Sequence, residues 1–286
     1  MVVLDIELNG EKKTLYMDSR LYNQIQTKVM PKIDKKDFDW VWIIDGSEGS
    51  GKSVLAQQLA KVLDPTFNLD RMCMSPREFT KCVIHARKGE CVIFDEAFTG
   101  LSSRASLTEI NRLLVSLMME MRQKNLFVII VMPTFFLLDK YVALFRARGL
   151  FHVYLKSGKR GRWIYFNSKK KKQLYLIGKK LYSYSKPKSN FKGRFMDQYT
   201  IDEESYREKK RKALMEKSRS TKAETFKVQR DTLFWVLNKK LKLTQMEISR
   251  LCSECGFKIA RNTIAEILIE KSKELIDKED EIELSS

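Results

Sequence analysis

The order of apolar and polar positions predicts a hairpin and a helix, followed by alternating strands and helices. Residues 2–17 alternate on both sides of Asn9-Gly10, which predicts a β-hairpin, and residues 19–33 have helical spacing. From Asp39 onward, short apolar runs alternate with longer amphipathic stretches. The predicted strands are Trp40–Ile44, Met72–Met74, Cys91–Phe94, Leu126–Val131 and Leu150–Leu155; the predicted helices are Lys52–Leu63, Pro76–Lys88, Leu107–Lys124 and roughly Phe135–Ala147. This alternation predicts an α/β fold with a central parallel sheet.

The second half of the chain has a different pattern. Arg162–Asn167 predicts one more strand, residues 202–222 a charged helix, and residues 226–272 a compact all-α unit. We therefore expect four parts. They are an N-terminal hairpin and helix (1–38), a core (39–168), a basic, aromatic-containing linker (169–222) and a C-terminal helical domain (223–286).

A phosphate-binding motif lies between the first predicted core strand and the helix that follows it. The segment fits G-x-x-x-x-G-K-[ST] at every fixed position, in the strand–loop–helix context that the motif requires. Its backbone amides and the helix N-terminus favour phosphate, Lys52 is expected to reach the β and γ phosphates, and Ser53 to bind Mg²⁺. The predicted ATP-binding residues are Gly46, Ser47, Glu48, Gly49, Ser50, Gly51, Lys52 and Ser53.

An acidic pair follows the apolar strand Cys91–Phe94. Asp95 is expected to hold Mg²⁺ together with Ser53, and Glu96 to orient and deprotonate an attacking water. The alternative is that Glu96 only ends the strand. A carboxylate pair at this place favours a hydrolase over a small-molecule kinase.

The predicted core resembles P-loop ATPases of the RecA-like and AAA+ catalytic-glutamate division, and within it most nearly the FtsK–HerA superfamily of DNA-pumping ATPases. The resemblance rests on GSEGSGKS, VIFDEAF, the helix ending in MRQKN, LFVIIVMPT and RARGLFHVY. It implies a P-loop NTPase sheet of strand order 5-1-4-3-2 and assembly into a homo-oligomeric ring, with six as the expected number of subunits.

Two further roles are expected in such a motor. Arg146 or Arg148, just before the strand Leu150–Leu155, is a candidate arginine finger for a neighbouring subunit's γ-phosphate. The family often has a glutamine sensor after the preceding strand. Met132 stands at that position in this chain, and Thr134 is the nearest polar candidate.

Composition excludes several classes of protein. The 286 residues include 43% hydrophobic side chains, enough for a sizeable core, and carry a net charge of +18. No apolar run approaches the roughly 20 residues of a membrane helix. We expect no membrane span and, with five scattered cysteines, a reducing cytoplasmic location. Cys252 and Cys255 lack a second ligand pair for zinc, so helix packing is favoured for them.

The excess charge lies almost wholly in residues 156–222, which carry 22 basic and 6 acidic side chains. Such a segment favours a polyanion partner, and the alternative is a solvated lysine-rich surface. Lys169, Lys170, Lys171 and Lys172 are predicted to contact DNA without reading its sequence. The aromatic residues of the segment either stack on bases or, as the favoured alternative for most of them, pack on the core.

Residues 244–271 predict two helices separated by a turn at Gly256. Thr244 and Glu247 have capping-box spacing, and the arrangement is compatible with a helix-turn-helix. The second helix then offers Lys258, Arg261 and Asn262 to DNA. A small bundle for oligomerisation or partner docking remains the alternative.

Taken together, these features predict a Mg²⁺-dependent ATPase that moves or packages DNA, for a virus, plasmid or other mobile element. One alternative is an ATP-dependent switch on DNA, such as a loader, partition or transposition ATPase. Another is a DNA-binding protein that has a nucleotide site but no enzymatic activity.

Overall fold

The chain folds into two compact units, residues 1–213 and residues 214–286. The structure is a computed structural model that describes residues 2–8, 10–36, 38–95, 104–219 and 222–283. The four-part division expected from sequence stays a prediction, and by its contacts the chain divides between Ala213 and Leu214. The segment predicted as a linker packs largely on the core, because it forms a helix, a strand and buried turns that belong to the first unit.

A seven-stranded sheet forms the centre of the first unit, and a separate two-stranded hairpin precedes it. The order in the large sheet is β4-β5-β6-β3-β7-β8-β9. The strands are β1 (Val2–Leu8), β2 (Glu11–Met17), β3 (Trp40–Gly46), β4 (Met72–Cys73), β5 (Cys91–Phe94), β6 (Phe127–Val131), β7 (Gly149–Lys156), β8 (Lys159–Asn167) and β9 (Phe191–Arg194).

The five core strands confirm the predicted α/β fold and its sheet. Strands β3 to β7 are mutually parallel, and counted from β3 their order is 5-1-4-3-2. Each residue of β3, β5 and β6 is buried, as expected for a parallel sheet covered on both faces. The two last strands, β8 and β9, extend the sheet in antiparallel register.

The helices mostly agree with the predicted positions. Their bounds are α1 (Ser19–Gln24), α2 (Met30–Lys36), α3 (Lys52–Leu63), α4 (Pro76–His85), α5 (Arg104–Glu120), α6 (Ser168–Gly178), α7 (Glu203–Arg219), α8 (Lys222–Lys239), α9 (Gln245–Glu254) and α10 (Arg261–Glu283). A π-helical turn, Ile25–Val29, joins α1 to α2 without a break.

The prediction of a helix at about Phe135–Ala147 is wrong. The segment contains only a 3₁₀ turn at Phe135–Leu137 and a π turn at Val142–Arg146. The amide of Phe135 donates to the Asp45 carboxylate at 2.7 Å, and the rings of Phe135 and Phe136 are both buried in the core. Tertiary burial of both aromatic rings therefore overrides the local helical spacing.

Helix α6 and strand β9 were not predicted as separate elements. The side chain of Asn167 accepts a hydrogen bond from the amide of Lys170 and caps α6. Most aromatic residues around these elements support the packing alternative, because they are buried in the core; these are Trp163, Tyr165, Phe166, Tyr175 and Phe191.

The predicted N-terminal hairpin and helix are confirmed. β1 and β2 pair in antiparallel register, and Gly10 in the turn adopts a φ of 79°. In the helical stretch 19–36, apolar side chains recur every fourth residue and pack on one face of the sheet. They are Leu21, Ile25, Val29 and Ile33.

The second unit has a small helical core of its own, formed by α8, α9 and α10. Thr244 and Glu247 form the predicted capping box, and Gly256 between α9 and α10 has a φ of 85°. Ile248 and Ile264 are fully buried within this core. Among the helices of the described residues, none is long and apolar enough to cross a membrane.

Candidate nucleotide-binding site

The predicted phosphate loop lies at the carboxyl end of β3, where the chain turns into α3. Gly46 is the last residue of β3, and Gly51 precedes the first residue of α3, Lys52. Loop amides and the positive end of the twelve-residue α3 therefore meet at one place. This edge of the parallel sheet is also where ligands bind in open α/β folds.

Two glycines of the loop are required by its geometry. Gly46 has a φ of 142°, and a Cβ there would lie 2.0 Å from the carbonyl oxygen of Val153. Gly51 has a φ of 94°, and a Cβ there would lie 3.0 Å from the ring of Phe195. Any other L-residue at position 46 would displace the neighbouring strand β7.

Lys52 folds back over the loop. Its Nζ donates to the carbonyl oxygens of Gly46 and Ser47, each at 2.8 Å. Burial lowers the pKa of Lys52, and the carboxylates of Asp95 and Asp45 oppose that shift. A partly desolvated ammonium with only carbonyl partners gains more from a phosphate than a fully hydrated one does.

The two predicted metal ligands, Ser53 at the start of α3 and Asp95 after β5, are hydrogen-bonded to each other. Ser53 Oγ donates to Asp95 Oδ1 at 3.0 Å, although the two residues are 42 positions apart. Asp95 is fully buried at the end of β5. A hydroxyl and a carboxylate are the hard oxygen donors that Mg²⁺ selects, so this pair fits the metal of a nucleotide complex.

Glu96 lies outside the described residues, which resume at Arg104. Its predicted role as the residue that activates water stays a prediction. Asp95, the residue before it, ends the described β5 segment on the same edge of the sheet as the phosphate loop.

A second polar cluster lies beneath the loop, and sequence reasoning did not anticipate it. Asp45 is fully buried and accepts hydrogen bonds from the Tyr184 hydroxyl and from His152 Nδ1, the latter at 2.9 Å. Tyr184 also contacts Thr134, the predicted sensor, with 3.0 Å between the two hydroxyl oxygens. Thr134 therefore lies beside the loop, and its sensor role stays a prediction.

Residues 195–210, here termed the covering segment, pack against the phosphate loop and α3. Gln58 of α3 is almost fully buried, and its Nε2 donates to the carbonyls of Met196 at 2.7 Å and Gln198 at 2.8 Å. The ring of Phe195 lies against Gly51. Part of the chain predicted as a linker is therefore a wall of the site.

Tyr206 of the covering segment reaches the predicted metal site. Its hydroxyl donates to Asp95 Oδ2 at 2.8 Å, and the side chain is buried. Burial and the neighbouring Asp95 raise the pKa of Tyr206 well above its usual range, so the hydroxyl stays a donor. Both carboxylate oxygens of Asp95 thus accept from protein hydroxyls, one from Ser53 and one from Tyr206.

The candidate arginine fingers lie at the opposite edge of the sheet. The amide of Arg148 donates to the carbonyl of Val41 at the start of β3, while the phosphate loop follows the end of that strand. Arg146 forms an ion pair with the nearly buried Asp39 of its own chain. This ion pair gives Arg146 a structural role and counts against Arg146 as the arginine finger. The finger role of Arg148 stays a prediction.

The predicted DNA-contacting lysines of α6 have different environments. Lys169 is exposed, Lys170 donates to the carbonyl of Ser189, and Lys172 lies 5.0 Å from the centroid of the Phe145 ring. Lys171 is fully buried and donates to the carbonyl of Ala143. The prediction for Lys171 is therefore wrong, because no phosphate can reach it.

Burial lowers the pKa of Lys171 to about 7, and the nearby positive charges of Lys172 and Arg148 act in the same direction.

In the second unit, the three residues predicted to contact DNA are all exposed; they are Lys258, Arg261 and Asn262. Their role in binding DNA stays a prediction.

Comparison with known proteins adds little to this geometry. No family model matches the chain, and no curated protein matches it in sequence. Among solved structures it is similar to the N-terminal domain of zonular occludens toxin from Neisseria meningitidis, with a TM-score of 0.32 and 12% identity. That match covers 59% of this chain and 98% of the domain.

Proposed function

We propose that the protein is a Mg²⁺-dependent ATPase that uses ATP hydrolysis to move DNA. The observation that carries the ATPase part is the contact between Ser53 and Asp95 beside Lys52. It brings the metal-binding hydroxyl, the acidic strand end and the phosphate-binding lysine together at the N-terminus of α3. A glycine-rich turn with a purely structural role would not need this set.

The residues divide the chemistry between them. Lys52 and the loop amides bind and orient the phosphates, while Ser53 and Asp95 hold Mg²⁺, which when bound neutralises charge on the phosphate oxygens. Glu96, directly after Asp95, is the proposed general base for water. Burial of Asp95 and the wall formed by the covering segment keep bulk water away from these groups.

The DNA-moving part rests on charge and on sequence motifs. Residues 156–222 hold nearly all of the net charge of +18, and the motifs resemble those of the FtsK–HerA superfamily. We propose a ring of identical subunits in which Arg148 reaches the neighbouring nucleotide. Binding to DNA is then mainly sequence-independent, because lysine and arginine contact the phosphate backbone.

One observation favours a second candidate, an ATP-dependent switch on DNA. Tyr206 links the metal-binding carboxylate of Asp95 to the covering segment. Binding of ATP and Mg²⁺ would then change the position of the covering segment and would not drive directional movement along DNA. A non-enzymatic nucleotide-binding protein is disfavoured, because Lys52, Ser53, Asp95 and Glu96 are all present.

The test is ATP turnover by the full chain at low salt, with and without DNA. We expect Mg²⁺-dependent phosphate release that DNA accelerates, and directional displacement of a bound strand. Turnover that DNA accelerates without displacement supports the switch instead. Turnover that ignores DNA would remove DNA from the proposal and leave only the ATPase.

A further inference from the structure

A cleft of about 610 Å³ opens at the amino-terminal edge of the sheet, away from the phosphate loop. Trp40 and Trp42 of β3 form part of its wall, together with Tyr165 and Phe191 of the antiparallel extension. The volume lies within the range of sites that hold ligands. Apart from Arg148, the candidate arginine finger, no residue that lines the cleft has a role in the proposed ATPase reaction.

The described side chains that line the cleft include six cations and no carboxylate. These cations are Arg20, Lys28, Lys32, Lys36, Arg148 and Lys169. None of the six forms an ion pair with a described acidic side chain. Concentrating unpaired positive charge on one concave surface creates a strong attraction for a polyanion.

Four of the six cations belong to a single stripe. Arg20, Gln24, Lys28, Lys32 and Lys36 follow one another at intervals of four residues along the continuous helical stretch 19–36. A spacing of four drifts around an α-helix of 3.6 residues per turn, and the wider π turn at Ile25–Val29 reduces that drift. The stripe extends over about 24 Å at the α-helical rise.

The aromatic wall holds several of these cations in position. The guanidinium of Arg20 lies 4.9 Å from the centroid of the Phe191 ring, and Nζ of Lys32 lies 5.6 Å from that of Trp40. Arg148 lies 5.6 Å from the ring of Phe38. Cation–π contacts fix the positions of the charges without neutralising them, so they remain free to bind an anion.

The N-terminus of a helix also lines the cleft. Asn167, Ser168 and Lys169 line the cleft at the start of α6, an eleven-residue helix. The positive end of the α6 dipole therefore faces the same space as the lysine stripe. Several cations together with a helix N-terminus in one cleft suit a chain of phosphates.

We propose that this cleft binds the phosphodiester backbone of nucleic acid, without reading its sequence. The elongated stripe, the charge of one sign and the amides of α6 match a row of phosphates better than a single small anion. The inference rests on the DNA-engaging part of the proposed function and assigns it a surface on the first unit. Of the lysines predicted from sequence, Lys169 belongs to this surface.

The test compares a cleft variant with a variant of equal charge change. The cleft variant is Lys28→Gln, Lys32→Gln and Lys36→Gln; the control variant is Lys12→Gln, Lys88→Gln and Lys140→Gln, all exposed, outside the cleft and outside residues 156–222. Fluorescence anisotropy is measured with a labelled oligothymidine and with a duplex of equal length, over a range of salt concentrations.

For the single strand we expect the cleft variant to bind at least tenfold more weakly. Its plot of log affinity against log salt should be shallower by about 2, since three phosphate contacts are lost. The control variant should retain most of the affinity. Comparing the affinities for the oligothymidine and the duplex shows whether the cleft prefers the backbone of a single strand or that of a duplex.

Equal affinity of wild type and cleft variant would overturn the inference and leave the proposed function standing. If the wild type binds neither oligonucleotide at low salt, the DNA part of the proposed function fails as well. A cleft variant that loses binding to vesicles of anionic phospholipid, yet retains oligonucleotide affinity, also overturns the inference. Unchanged unfolding midpoints and ATP binding show that each variant is folded.

Discussion

The hydroxyl of Tyr206 donates a hydrogen bond of 2.8 Å to Asp95, and the two residues lie 111 positions apart. Asp95 directly follows strand β5, whereas Tyr206 belongs to α7, in a segment that the sequence predicts as a charged helix. The contact brings the covering segment to the place where Ser53 and Asp95 are expected to hold Mg²⁺. In the proposed function, nucleotide binding and the position of this segment are therefore linked.

Tyr206→Phe should lower the Mg²⁺ concentration needed for half-maximal ATP hydrolysis. The change releases one carboxylate oxygen of Asp95 from a buried donor and retains the ring. A hydrogen bond to a charged group contributes about 1.5–3 kcal/mol, so a shift of about tenfold to a hundredfold is expected. Magnesium titrations at saturating ATP measure it.

The matched control is Tyr199→Phe, whose ring lies 5.6 Å from that of Tyr206. It should leave the magnesium requirement unchanged, because no hydrogen bond joins Tyr199 to Asp95 among the described contacts. A higher magnesium requirement in Tyr206→Phe would mean that the hydroxyl supports metal binding instead of competing with it.

The local features of the fold could be predicted from the sequence. Buried parallel strands are short apolar runs, and the phosphate loop has fixed glycine and lysine positions, so each signal lies within a few neighbouring residues. Tyr206 is a single aromatic residue in a charged helix and gives no periodic signal. Its role follows only from the long-range packing of α7.

The burial of Lys171 could have been predicted from helical spacing. The buried residues of α6 are Lys171, Leu174, Tyr175 and Gly178, which have helical spacing. Treating residues 169–172 as one basic run hides the fact that one position in four faces the core. A periodicity count through the run would have separated Lys171 from its three neighbours.

The stability of the protein should rise with pH where Lys171 loses its proton. Burial lowers the pKa of Lys171 to about 7 in the folded chain from an ordinary value of 10.5. The unfolded chain therefore binds more protons between these values, and raising the pH favours folding by up to roughly 1.4 kcal/mol per unit.

Lys171→Met should remove this dependence, so the wild type gains stability relative to the variant from pH 7 to pH 9. Urea unfolding at both values measures the gain. The exposed Lys169→Met serves as the control and should follow the wild type. Parallel pH profiles for wild type and Lys171→Met would contradict the account.

Gly46→Ala should destabilise the first unit by about 2–5 kcal/mol. A Cβ at this position would lie 2.0 Å from the carbonyl oxygen of Val153. The backbone conformation adds about 1–2 kcal/mol and the overpacking about 1–3 kcal/mol. Gly158→Ala is matched, since it has a φ of 72° with open space around it, and it should lose only the conformational part.

Urea unfolding of both glycine variants separates crowding from backbone conformation. Equal losses would mean that β7 moves freely away from position 46. Such a result would contradict the close packing of β3 and β7 described above.

Arg146→Met should unfold the first unit at lower denaturant concentration. The substitution leaves the nearly buried Asp39 without its ion-pair partner, which typically destabilises by about 3–5 kcal/mol. Arg148→Met, at a half-buried position in the cleft, should have a much smaller effect on stability. If Arg146→Met were as stable as the wild type but hydrolysed no ATP, the finger role would return to Arg146.

The ATPase proposal is tested by phosphate release from ATP by the wild type, Lys52→Ala and Asp95→Asn, with the exposed Asp5→Asn as a control. We expect Mg²⁺-dependent release by the wild type and the control, and a loss of at least about a hundredfold in Lys52→Ala and Asp95→Asn. Release that persists in both Lys52→Ala and Asp95→Asn would contradict it.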